Sequence, residues 1–150
     1  MDAVTYPNDK VAAHVHEHCI PLRIGHEDQP LAGQFKVKWT PRLFLLDQNG
    51  NSDHDVMGFL PPDELVPFIQ LARAKQAFHN DRLDEATAIL DEMLIESSAS
   101  GSAAEAVFLH GVSDFKKNHD PKALKAVYRL LKFDYAQSAW ARRAFPYWNL

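Results

Sequence analysis

An α/β segment followed by an all-α region is the fold class this sequence predicts, and three observations carry that reading. Residues 39–62 place a Thr40-Pro41 step, an apolar run and a turn dipeptide in the order of a two-stranded hairpin feeding a helix. Upstream, Ile20, Leu22 and Ile24 alternate, as a strand with one buried face does. Beyond Leu71 the apolar residues recur at helical spacing in two copies, with no further strand pattern. The expected division is into residues 1–72 and 73–150.

The elements follow in order. Asp9 to His18 carries Val11 and Val15 at helical spacing, after the helix-start residues Pro7 and Asn8. A short strand is expected from Ile20 to Ile24, ending at Gly25. Pro30 to Phe35 predicts one or two helical turns with Leu31 and Phe35 inward. Leu43-Phe44-Leu45-Leu46 reads as the first hairpin strand, and Asn49-Gly50 as a turn with positive φ at both central positions. A cis peptide at Thr40-Pro41 would aim the preceding loop. Gly58 closes the second strand, and Pro61-Pro62 set up a helix whose inner face holds Leu65, Phe68, Ile69 and Ala72.

Leu71, Ala74, Phe78, Ala86, Leu90, Met93 and Leu94 match Phe108, Gly111, Phe115, Ala123, Val127, Leu130 and Leu131 at a constant offset of about 37 residues. Each copy reads as two antiparallel helices. Small residues at Ala74/Gly111 and Ala86/Ala123 let the pair approach closely. The turns are polar, Asn80-Asp81-Arg82 and Asn118-His119-Asp120, and Asp120 and Pro121 suit the cap and first position of a helix. Residues 97–102, rich in serine, supply a linker, and the Trp140–Trp148 segment reads as a cap.

Composition bounds the function. The 150 residues are 46% hydrophobic and 24% charged, enough for a real core in a soluble chain. A net charge of −4 argues against nucleic-acid binding. No apolar run reaches the roughly 18 residues of a membrane helix, and the N-terminus lacks the pattern of a signal peptide. Cys19 is the single cysteine, which excludes an intrachain disulfide. A cytoplasmic location is expected.

The order Thr40-Pro41, strand, Asn49-Gly50, strand, Gly58, helix resembles the C-terminal half of the thioredoxin fold, over roughly Met1 to Ala72. The resemblance implies an incomplete thioredoxin-like domain in which Thr40-Pro41 is the family's cis-proline step, contacting substrate backbone. Trp39 would line the groove where an extended peptide docks there, the alternative being a large residue that simply covers a loop. The Cys-x-x-Cys of the family would fall just upstream of Met1. Two explanations are open: a gene product that starts further upstream, or a sheet completed by rearrangement or by a second chain. The two helical copies are similar to tetratricopeptide repeats, although their spacing exceeds the usual length of about 34 residues and Ala77 and Asp114 stand where an aromatic is expected.

Other candidate residues favour a bland reading. Cys19, between a helix and an apolar strand, is expected to be buried and inert. His14 and His18 stand at i, i+4, as metal ligands do, with His26, Glu27 or Asp28 as a third; a solvated helix face is the expectation, and no metal site is assigned. His54, between Asp53 and Asp55, lacks a believable nucleophile, Ser52 being too local. Arg142, Arg143, Trp140, Phe145, Tyr147 and Trp148 read as cap residues.

What the resemblance implies is a relative of thiol-disulfide oxidoreductases, inactive without its dithiol, whose helical repeats recruit a protein or peptide client. The alternative is a non-catalytic protein–protein interaction module. A histidine-based metal protein is the third possibility. No cofactor, catalytic residue, nucleic acid or membrane partner is expected, and a homo-oligomer is allowed for.

Overall fold

Helix α1 (Asp9–His18) starts where Asn8 accepts hydrogen bonds from the amides of Lys10 and Val11, and it stops as Cys19 turns extended. These elements come from a computed structural model that describes residues 1–25, 27–52 and 54–150. The chain forms two compact units, Met1–Val66 and Pro67–Leu150.

In the first unit, α1 buries Val11, and the buried Thr5 hydroxyl donates to the Leu60 carbonyl at 2.6 Å. Asp28 caps the short α2 (Gln29–Gln34) by accepting from the Leu31 amide. Strands β1 (Arg42–Leu45) and β2 (His54–Met57) pair antiparallel, with Arg42 opposite Met57 and Phe44 opposite Asp55. The Thr40–Pro41 peptide is cis. The turn departs from the expected form: only Gly50 has positive φ (79°), at the last position of a turn closed by its amide on the Asp47 carbonyl. The Asp47 carboxylate takes over the remaining work, accepting from the amides of Asn49 and Asn51 at 2.8 Å each.

In the second unit the helices are α3 (Pro62–His79, its first residues in the first unit), α4 (Leu83–Ser97), α5 (Ala103–Asn118), α6 (Pro121–Asp134) and α7 (Ala139–Arg143), then a 3₁₀ turn at Phe145–Asn149. Leu71 and Ala74 pack with Ile89, Leu90 and Met93 of α4 and Ala106 of α5. A second cluster joins Ala104 and Val107 to Val127, Tyr128, Leu131 and Ala144. Ion pairs flank these seams: Lys75 with Glu105, Lys117 with Asp84 at 2.6 Å, and Lys116 with Asp81 at 2.5 Å. Asp81 and His119 turn the chain in left-handed conformation, and Asp120 caps α6 with Pro121 at its first position. Aromatic rings close the end. Trp140 and Tyr147 lie 5.0 and 5.9 Å from Phe108, and Phe145 and Trp148 lie 6.2 and 5.6 Å from Tyr128.

The expected α/β class, an incomplete thioredoxin-like domain ahead of an all-α tetratricopeptide-like region, is overturned. The structure is 60% helix, with seven α-helices among the described residues and one two-stranded sheet. Helices occur in both units, and the sheet is a single antiparallel hairpin with no parallel crossover. Ile20–Ile24 forms no strand. The physical reason is pairing: a strand needs a ladder partner for its amides and carbonyls, and among the described residues no backbone hydrogen bond engages 20–24. Ile20 is accordingly 98% exposed, and Leu22 is exposed beside it.

Candidate binding surface

Trp39, Thr40 and Pro41 are brought together by the connection from α2 to β1. Lys36 takes left-handed φ (51°), and the Val37 amide returns to the Ala32 carbonyl at 2.8 Å, which fixes where the segment leaves α2. Pro41 then extends the hairpin by one step, its carbonyl accepting from the Gly58 amide at 2.8 Å. This contact sets Pro41 beside Gly58, directly after the Arg42–Met57 pair. Gly58 has φ of 103°, a conformation a side chain would resist, so the chain can turn away here toward α3.

The surface is apolar with a cationic rim. Trp39 is 68% exposed, and Thr40 and Pro41 are exposed with it. Met57 and Phe59, on either side of Gly58, are exposed as well. Arg42 is held in place, its Nε donating to Asp55 at 2.8 Å and its guanidinium lying 4.8 Å over the Phe44 ring. The Phe44 ring in turn meets that of Phe35, at the α2 terminus, tilted with centroids 5.0 Å apart. Lys36 and Lys38 are exposed on either side of Val37, next to Trp39. Sequence reasoning found Trp39, Thr40 and Pro41 but passed over Met57 and Phe59. Their signal was available: two large apolar residues bracketing a glycine at the end of a strand.

The other candidates do not assemble into a site. His14 and His18 do share a face, with ring centroids 4.5 Å apart, yet among the described residues no group of three ligating side chains could hold a metal ion. His26 and Asp53 lie outside the described residues. Cys19 is half-buried rather than buried, because the segment that follows it is not packed as a strand. The Ser52 hydroxyl donates to the His54 carbonyl at 3.1 Å, a turn contact and no nucleophile–base arrangement. Arg143 lies 4.3 Å over the Trp140 ring, within the terminal aromatic cluster.

No protein-family model matches this chain, and neither a curated protein nor a solved structure matches it. No helix among the described residues is long and apolar enough to cross a membrane.

Proposed function

We propose that the chain is a non-catalytic protein-interaction module that binds an extended peptide at the Trp39-Thr40-Pro41 surface. One observation carries the reading: a 68% exposed tryptophan stands two residues before the cis-proline-led start of β1, and Met57 and Phe59 at the end of β2 are exposed too. An indole left in water in this way gains most by covering an apolar partner. Among the described residues the sheet has two strands, and an extended peptide can add to the edge of such a sheet through its backbone. Lys36 and Lys38 favour a peptide of neutral or negative charge. The single cysteine among these 150 residues supports a cytoplasmic setting.

Selection from a random peptide library, followed by titration of the best binder, tests this. Trp39→Ala is expected to weaken binding by about tenfold or more while leaving the melting temperature unchanged, since the side chain is exposed. Equal binding by W39A, or no peptide selected above background, would sink the proposal.

A further inference from the structure

Between α6 and the C-terminal turns of the second unit lies a groove with an aromatic floor and two cations. Its cavity of about 310 Å³ is lined by Tyr128, Lys132, Ala136, Ala141, Arg142 and Phe145. Tyr128 is buried, at 7% exposure, and the rings of Phe145 and Trp148 stand 6.2 and 5.6 Å from it. The Lys132 ammonium lies 5.7 Å over the Tyr128 ring and 5.5 Å over that of Trp148, which holds this charge beside the groove. Arg142 comes from α7, where the Ser138 hydroxyl accepts from the Ala141 amide at 3.0 Å and fixes the start of the helix.

The polar groups of this groove lack protein partners. Among the described residues neither Lys132 nor Arg142 makes an ion pair, and the Tyr128 hydroxyl makes no hydrogen bond. Phe145 stays 63% exposed, with Trp148 exposed beside it. Charge is also unevenly divided along the unit. Residues 67–120 hold five Lys/Arg against nine Asp/Glu, whereas residues 121–150 hold six against one. That one, Asp134, lines a different cavity.

We infer that the groove binds a short acidic peptide segment through one bulky apolar side chain with carboxylates on either side of it. The apolar side chain covers Tyr128 and Phe145, and the carboxylates reach Lys132 from α6 and Arg142 from α7. The Tyr128 hydroxyl donates to a carboxylate or to the peptide backbone. The volume is near the lower bound of about 300 Å³ for ligand sites, which suits a single anchoring side chain. Nucleic acid and anionic lipid share the negative charge but extend beyond two cations. Within the same unit the five acidic side chains exposed on α4 repel such an extended polyanion. The groove lies in the second unit, and its use does not rest on the Trp39 surface.

Fluorescence anisotropy tests the proposal, with a labelled peptide of one phenylalanine between two glutamates on each side. Saturable binding that weakens with added salt is expected. Replacing the phenylalanine by alanine, or the glutamates by lysines, is expected to weaken it by about tenfold or more. Lys132→Glu and Arg142→Glu, both exposed and outside the core, are each expected to cost about tenfold as well. Trp39→Ala is expected to bind this peptide as the wild type does. No binding of the acidic peptide would overturn the inference, as would equal binding by K132E and R142E, or binding lost in W39A alone. Phosphatidylserine vesicles, a single-stranded oligonucleotide and sedimentation velocity cover the other occupants. Lipid binding, nucleic-acid binding or self-association that K132E abolishes, with no peptide bound, would assign the groove elsewhere and overturn it too.

Discussion

Gly111 of α5 lies so close to Val127 of α6 that a Cβ built on the glycine would stand 1.8 Å from Val127 Cγ2 and 3.4 Å from the Ala123 carbonyl. The two helices therefore meet backbone to side chain, with no room for a methyl group. Gly111→Ala would gain about 1 kcal/mol of helix propensity. Against that, Val127 is β-branched and stiff, and relieving the clash costs about 1–3 kcal/mol. Net destabilisation by about 1 kcal/mol is expected in urea unfolding, and G111A/V127A is expected to recover part of it. A G111A chain as stable as wild type would show that the seam can open freely.

Gln70 is buried in α3, and among the described residues its Oε1 finds no hydrogen-bond donor. An amide oxygen held from water without a partner is a standing cost. Gln70→Met keeps the volume and removes the polar group, so it is expected to raise stability by about 1 kcal/mol. Thermal unfolding followed by circular dichroism checks this, and a lower melting temperature for Q70M would refute it.

Asp47 organises the hairpin loop. The Asn51 amide, above all, holds its carboxyl below the usual carboxylate pKa, with the Asn51 and Asn49 side chains and the Asn49 amide adding to the effect. A lowered folded pKa means the carboxylate's contribution is present above the ordinary value of 3.8 and is lost as pH falls through the lowered value. Amide exchange at Asn49 and Asn51 is therefore expected to stay slow at neutral pH and to quicken once Asp47 is protonated, after correction for intrinsic rates. Asp47→Ala should give the quick pattern at every pH. Protection in D47A equal to wild type would remove Asp47 from this role.

Local signals were the most legible part of the sequence. Asn8 and Asp120 announced their helices because a cap needs only neighbours, and the structure starts α1 and α6 at those residues. The small residues Ala74 and Gly111 were read correctly as close-approach positions, since Ala74 is fully buried and Gly111 abuts Val127. The hairpin and the cis Thr40–Pro41 peptide are present. What failed depended on distant partners. The alternation of Ile20, Leu22 and Ile24 fits a strand, but alternation supplies no second strand to pair with, and the α/β class fell with it. The turn failed for a subtler reason: the Asp47 carboxylate satisfied the loop amides, so Asn49 had no need of positive φ. Of the candidate surface, Trp39 was legible from its type and position. Met57 and Phe59 were legible as large apolar residues bracketing Gly58, but that they stay exposed is known only from the structure.

The unpaired stretch from Ile20 to Ile24 carries its own safeguard. Its three large aliphatic side chains are separated by Pro21, which has no amide hydrogen to offer, and Arg23, whose guanidinium is paired with Asp2 at 3.1 Å on the surface. Without those two interruptions the five residues would be an uncharged β-former open to water, the kind of segment that seeds stacked filaments. Proline and arginine at alternate positions break up this exposed aliphatic row, which disfavours edge-to-edge stacking.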